Sequence, residues 1–114
     1  EALSLARRLE DQRLTADLLV GLADLEIQRG ARREAARNVE EALTIQKAVG
    51  DARGQIAALQ LRARLHRQAG KRQAALEDLR AAAGLLTELY TRLGGIPQGT
   101  RAAFLGQFDA LYRD

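Results

Sequence analysis

The chain repeats itself at an offset of forty residues, and the alignment needs no gap. The stretch IQRGARREAARNV at 27–39 matches RQAGKRQAALEDL at 67–79. The register is kept over the whole unit, with Asp11 opposite Asp51, Leu25 opposite Leu65 and Gly30 opposite Gly70. A repeat of this period indicates an array of similar supersecondary units that stack on one another, rather than one irregular core.

The composition predicts that each unit is helical. The 114 residues are 46% hydrophobic, which is too apolar for a disordered chain, and they include a single proline. Alanine, leucine, arginine, glutamate and glutamine are abundant, β-branched residues are scarce, and the abundant residues are the best helix formers. We therefore expect an all-α fold without strands.

Several classes of protein are disfavoured by what the sequence lacks. It has no cysteine, so disulfides, thiolate zinc sites and cysteine nucleophiles are not expected, and the predicted location is cytoplasmic. No apolar run approaches the roughly 20 residues that span a bilayer, so a membrane is not an expected partner. Because the sequence begins within a helical pattern and without methionine, we expect it to belong to a longer chain.

The basic balance does not by itself predict nucleic-acid binding. The net charge is +3, but arginines alternate with glutamates, as in RREAARNVEE at 32–41. Aromatic residues make up 4% of the chain, and no recognition helix or stacking platform is evident. These charges are typical of solvated helix faces, so no nucleic-acid partner is predicted.

The first full unit predicts two helices joined at a glycine. TADLLVGLADLEIQR, at 15–29, carries a broad apolar stripe at Leu18, Leu19, Leu22, Ala23, Leu25 and Ile27. Gly30 supplies a position where positive φ costs little, which favours a sharp turn. A second helix is predicted over 32–49, with an inward side at Ala35, Ala36, Val39, Ala42, Leu43 and Ile45.

The second unit repeats this design after GDARG at 50–54. Its first helix is predicted over 55–69 and its second over 72–93, with Gly70 between them. The predicted inward residues are Ile56, Leu59, Ala63 and Leu65, then Ala75, Leu76, Leu79, Ala82, Ala83, Leu86, Leu89 and Leu93. The alanines allow paired helices to approach closely, where larger side chains would overpack the contact.

The order of leucine, small residue, glycine, alanine, apolar residue and alanine resembles the tetratricopeptide repeat (TPR). The residues that carry this order are Leu22, Ala23, Gly30, Ala35, Val39, Ala42 and Leu43, and then Leu59, Ala63, Gly70, Ala75, Leu79 and Ala82. The chain departs from the family at Glu26 and His66, where an aromatic is usual, and its period is longer. The resemblance implies a right-handed α-solenoid of TPR-like antiparallel helix hairpins with a C-terminal capping helix.

The repeat predicts one domain over 1–114 with internal boundaries. Segment 1–13 is predicted as the B helix of a preceding repeat, followed by repeats at 14–53 and 54–94 and a linker at 95–99. A terminal helix is expected at 100–114, with Thr100 as its N-cap and a stripe of Phe104, Leu105, Phe108, Leu111 and Tyr112. We expect this stripe to cap the solenoid.

The same tail also resembles a junction in bacterial proteins of the CHAT family, in which TPR repeats lead into a caspase-like peptidase domain. LLTELYTRL, a Gly/Pro linker and TRAAFLGQFDALYRD carry this resemblance. It implies that a catalytic domain would follow Asp114 and that this segment contains none of its histidine–cysteine dyad.

No catalytic, cofactor-binding or metal-binding residues are predicted. His66 is the only histidine and is expected to be a partly buried structural residue between helices. The adjacent acids Glu40 and Glu41, and likewise Glu77 and Asp78, diverge around a helix and are predicted to be solvated. We therefore expect no enzymatic activity from this segment.

The resemblance instead implies a partner-binding groove on the concave side, lined by the first helix of each unit. The positions it selects are Asp17, Val20, Asp24, Ile27 and Gln28, then Ala57, Gln60, Arg64, Arg67 and Gln68. Asp24 and Arg64 are forty residues apart, so an ion pair between them is expected as a structural contact. The alternative is that the arginines receive a carboxylate or polar backbone of a peptide.

Three functions remain open from the sequence. The first is a non-catalytic scaffold that binds a protein or peptide and can also associate with itself through the ends of the solenoid. The second is the regulatory arm of a CHAT peptidase, and the third is the sensor region of a bacterial transcription regulator.

Overall fold

The computed structural model describes residues 1–93, which form four α-helices joined by short turns. The helices are α1 (Ala2–Gln28), α2 (Arg32–Val49), α3 (Ala52–Gln68) and α4 (Arg72–Arg92). No residue from 1 to 93 lies in a strand, so the all-α prediction is confirmed for this part. None of the four helices is both long and apolar enough to cross a membrane. The predicted linker at 95–99 and terminal helix at 100–114 lie outside the described residues.

The helices pack as two pairs that meet at α3. Helix α1 packs on α2, and α3 packs on α4. Both α1 and α2 also contact α3, whereas α4 contacts α3 alone. Because α1 and α4 do not touch, the described helices form an open arrangement and not a closed four-helix bundle.

The turns inside the two pairs are built in the same way. Gly30 and Gly70 have φ values of 80° and 78°, as predicted for glycines that end a helix. In each turn the residue after the glycine donates a backbone hydrogen bond to the carbonyl five residues before it. Ala31 donates to Glu26 and Lys71 donates to His66, both at 2.8 Å. These bonds satisfy carbonyls at the helix end that have no intrahelical partner.

The connection between the two pairs is shorter than the sequence predicts. Gly50 ends α2 with φ at 71°, and the side chain of Asp51 accepts a hydrogen bond from the amide of Gly54 at 3.0 Å. Because Asp51 caps the helix, α3 begins at Ala52 instead of at the predicted residue 55.

The first predicted boundary, between segments 1–13 and 14–53, does not coincide with the end of a helix. Helix α1 runs from Ala2 to Gln28 without a break, so residues 1–13 are not a separate B helix. The second unit breaks at Gly50, but the equivalent residue of the first unit is Glu10. A glutamate enters the left-handed region at a cost that glycine avoids, and the helix continues through it. All residues from 1 to 15 are exposed.

Small side chains form the contacts within each pair, as predicted. The six alanines are Ala23, Ala35, Ala42, Ala63, Ala75 and Ala82, and none is more than 2% exposed. Val39, Leu43 and Leu59 complete the main core together with Ala58, Leu61 and Leu65 from α3. Close approach of the helix axes therefore depends on the absence of bulk at the alanine positions.

The broad apolar stripe predicted for the first helix is only partly buried. Ala16, Ala23 and Ile27 are in the core, whereas Leu18, Leu22 and Leu25 are 67%, 47% and 50% exposed. Helices α2 and α3 cover one side of α1, and no described element covers the other. Ala36 and Leu93 are also exposed, in contrast to their predicted inward positions.

Replacing glycine by alanine should have opposite effects at two positions inside helices. A Cβ on Gly54 would lie 2.7 Å from Nε2 of Gln46 and would also overlap the Asp51 carboxylate, whereas a Cβ on Gly21 meets nothing within 4 Å. We expect Gly54→Ala to lower the free energy of unfolding by about 1–3 kcal/mol. Gly21→Ala should raise it by about 0.5–1 kcal/mol, because alanine favours the helix. Urea denaturation measures both, and equal effects would contradict the close approach of α2 and α3.

Candidate functional site

An ion pair joins equivalent positions of the two units. Nη1 of Arg64 lies 3.0 Å from Oδ1 of Asp24, and both side chains are about half exposed, at 54% and 45%. This confirms the predicted contact. Because the two residues are one repeat period apart, α1 and α3 lie side by side at this turn.

Most of the residues predicted to line the groove are on the surface. Asp24 and Val20 are partly buried, and the exposed members are Asp17, Gln28, Ala57, Gln60, Arg64, Arg67 and Gln68. Ile27 is the exception, since it is 8% exposed and belongs to the core with Ala23 and Ala35. Ile27 follows Ala23 by four residues and shares its buried stripe, which makes it inaccessible to a partner. Val20 also packs against this core.

A second polar cluster connects three helices through Arg62. Its Nε and Nη2 donate to Oδ1 of Asp78 on α4 at 3.0 and 2.9 Å. Its Nη1 donates to Oε1 of Glu40 on α2 at 2.7 Å. The other carboxylate oxygen of Asp78 is 2.7 Å from Nδ1 of His66. The arginine therefore links the two helix pairs.

The prediction that Asp78 lies on a solvated face is wrong, because its side chain is only 6% exposed. The sequence carried a signal for this burial. Asp78 is three residues after Ala75 and four before Ala82, so it lies on the buried stripe of α4. A carboxylate on that stripe needs a cationic partner, which Arg62 provides. No comparable pattern singled out Arg62.

The environment of Arg62 keeps it charged. Partial burial acts to lower the pKa of Arg62, but the hydrogen bonds and negative charges of Asp78 and Glu40 outweigh it, so its pKa is raised. The guanidinium is thus a permanent cation at the junction of α2, α3 and α4.

The two units place a polar pair at the same helix contact but use different residues. In the first unit, the amide nitrogen of Asn38 donates to Oε1 of Glu26 at 2.6 Å. The equivalents in the second unit are Asp78 and His66, so the carboxylate has moved to the other helix. The partly buried position of His66 between α3 and α4 is as predicted.

Among the described residues, the side-chain bonds of these polar pairs and of the Arg62 cluster join one helix to another. No group of three or more histidine, aspartate or glutamate side chains within 1–93 is arranged to hold a metal ion. No protein-family model matches the sequence, and comparisons with curated proteins and with solved structures gave no match either. The TPR and CHAT resemblances therefore stay predictions carried by the residues named above.

Exchanging the polar pair of the first unit should reproduce the chemistry of the second. Asn38→Asp alone places a second carboxylate against Glu26, and we expect it to lower the free energy of unfolding by about 1–2 kcal/mol. Adding Glu26→His recreates a histidine–carboxylate pair and should recover most of that loss. A urea double-mutant cycle measures the coupling between the two changes. Simple addition of the two single effects would contradict a direct contact between these side chains.

Proposed function

We propose that this chain is a non-catalytic protein–protein interaction scaffold of the TPR type that binds an extended peptide on the face shared by α1 and α3. The observation that carries the proposal is the ion pair between Asp24 and Arg64, which aligns equivalent turns of the two helices. Two aligned helices present a continuous surface, and stacked helix pairs use such surfaces to bind partners. A cytoplasmic location fits the absence of cysteine.

The contacts between helices support a solenoid of TPR-like hairpins. Each helix packs on its partner in the pair, and the second pair meets the first through α3. The second helix of the last pair, α4, contacts nothing outside its own pair among residues 1–93. This is the contact pattern of units that stack in one direction, in which each unit touches only its neighbours.

The side chains on the shared face suit a polar peptide. Asp17 and Asp24 give the α1 side negative charge, whereas Arg64 and Arg67 give the α3 side positive charge. Gln60 and Gln68 are exposed beside the arginines and can bond to a peptide backbone. A partner that competes with Asp24 for Arg64 loses little, because an exposed ion pair is worth about 0–1 kcal/mol.

Selection from a phage-displayed library of random peptides, with the full 114-residue chain as bait, tests this face. We expect selected peptides to bind at least about tenfold more weakly to Arg64→Glu, because a charge-assisted bond is lost and repulsion replaces it. The control Arg37→Glu makes the same charge change at an exposed position of α2. Peptides that bind all three proteins equally would place the interface elsewhere.

The uncovered side of α1 favours a second interaction, self-association through the end of the array. The leucines of this side form a face of Leu14, Leu18, Leu22 and Leu25, here termed the leucine face, and each is at least 47% exposed. On α3, the positions equivalent to Leu18 and Leu25 are Ala58 and Leu65, which are 0% and 7% exposed. The first helix pair covers them, so a similar pair is the natural cover for the leucine face.

A second copy of the chain offers such a cover at its opposite end. A groove of about 310 Å³ lies between α3 and α4, and the residues that line it are Arg53, Ile56, Leu86, Leu89, Tyr90 and Leu93. In the junction between the two units, Gly54 lies against Gln46. The equivalent of Gly54 in the first unit is Leu14, and the equivalent of Gln46 in the second unit is Leu86. If two copies met with the same geometry, Leu14 of one copy would therefore contact Leu86 of the other. We propose this head-to-tail contact as the mode of self-association.

Charging the leucine face should abolish the association. Leu18→Glu with Leu22→Glu would bury two unpaired carboxylates in the contact, and we expect the chain to become monomeric by light scattering. The control Ala48→Glu, at an exposed position on α2, should have the same oligomeric state as the unaltered chain. A monomeric unaltered chain at millimolar concentration would contradict the proposed contact.

A further inference from the structure

We propose that a cleft between the two helix pairs, here termed the basic cleft, binds an acidic peptide segment of a partner protein. The cleft measures about 640 Å³ and lies where the start of α2 faces the end of α3 and the start of α4. This volume is within the usual range for ligand sites. None of the residues predicted for the α1 and α3 groove lines it, so the inference does not rest on that proposed site.

Four basic side chains line the basic cleft, namely Arg32, Arg33, Arg62 and Lys71. Arg62 is already engaged with Glu40 and Asp78. Arg32, Arg33 and Lys71 are exposed, and none of them makes an ion pair or side-chain hydrogen bond within residues 1–93. The charges of these three are therefore available to carboxylates, for which arginine is especially suited.

The backbone adds positive potential at the same place. Helices α2 and α4 both begin at the basic cleft, and neither has a side-chain cap at its N-cap residue, Ala31 or Lys71. The helix dipoles favour negative charge at both N-termini. Glu34, the acidic residue in the first turn of α2, does not line the cleft.

The remaining lining favours a peptide over a nucleic acid. Ala36, Leu65 and Ala69 give the cleft an apolar component, which suits aliphatic side chains between carboxylates. Among the described residues that line it, the one aromatic ring is the imidazole of His66, which is held by Asp78. None of these residues is a phenylalanine, tyrosine or tryptophan, the larger platforms on which single-stranded nucleic acids stack. Glu40 also lines the wall and would repel a continuous phosphate backbone more than spaced carboxylates.

Fluorescence anisotropy with the full chain tests the proposal. The probe is a labelled peptide of alternating glutamate and leucine, and the reference peptide has glutamine in place of glutamate. We expect the glutamate peptide to bind at least about tenfold more tightly at low salt, because each carboxylate gains a charge-assisted bond. Equal affinity for the two peptides would overturn the proposal.

Matched charge reversals locate the binding. Arg33→Glu with Lys71→Glu changes two cleft residues, whereas Arg37→Glu with Arg80→Glu makes the same net-charge change on α2 and α4 outside the cleft. The cleft variant should lose at least about tenfold in affinity and the control variant less than about threefold. Circular dichroism verifies that both are folded.

Two results, one from these variants and one from competition with an oligonucleotide, would overturn the assignment. Equal weakening by the two variants would show that net charge, and not the basic cleft, attracts the peptide. Displacement of the peptide by a single-stranded oligonucleotide at a lower concentration than by unlabelled peptide would assign the cleft to nucleic acid. The variant Arg64→Glu leaves the cleft intact, so its effect on library-selected peptides reports separately on the α1 and α3 face.

Discussion

Helix α3 is the element on which the rest of the structure depends, because among the four helices of residues 1–93 it alone contacts each of the others. Its Ala58 and Leu65 are buried by the first pair, and its Ala63 is buried against α4. Arg62 crosses the same junction through bonds to Glu40 and Asp78. The small side chain of Ala58 allows the two pairs to approach closely, and the bonds of Arg62 fix the register of their contact. Both the shared α1 and α3 face and the basic cleft exist because α3 holds the two pairs in this relation.

The two units have the same backbone plan but distribute polar groups differently. Glu26 with Asn38 and His66 with Asp78 occupy equivalent contacts, and each repeat places its carboxylate where the other places an amide or an imidazole. Leu22, the equivalent of Arg62, is exposed on a face that no described helix covers. Burial therefore depends on the neighbouring helix as well as on position in the repeat, since Leu18 and Leu25 are exposed whereas the equivalent Ala58 and Leu65 are buried. This explains how one pattern can give an ion network at an internal junction and a leucine face at an end.

Much of the fold could be predicted from the repeat, since the bounds of α2 and α4, the glycine turns and the six buried alanines follow from local pattern. The ion pair of Asp24 with Arg64 followed from the repeat period alone. The continuity of α1 does not follow from the repeat, which pairs Asp11 with Asp51 but has Glu10 where the second unit has the helix-ending Gly50. The burial of Asp78 and the role of Arg62 were missed because they depend on contacts between units, which residue spacing within one helix does not report. The basic cleft depends on contacts between units in the same way, since its cations come from α2, from α3 and from Lys71 in the turn before α4.

In a structural repeat of forty residues, α1 and α3 lie side by side in register. The chain has no cysteine, so engineered cysteine pairs can test this directly with a short bismaleimide cross-linker. We predict rapid intramolecular cross-linking of Asp24→Cys with Arg64→Cys. Cross-linking of Asp17→Cys with Arg64→Cys should be slow, because position 17 lies about two helical turns away from position 24. Equal rates for the two pairs, or faster reaction of the displaced pair, would contradict this register.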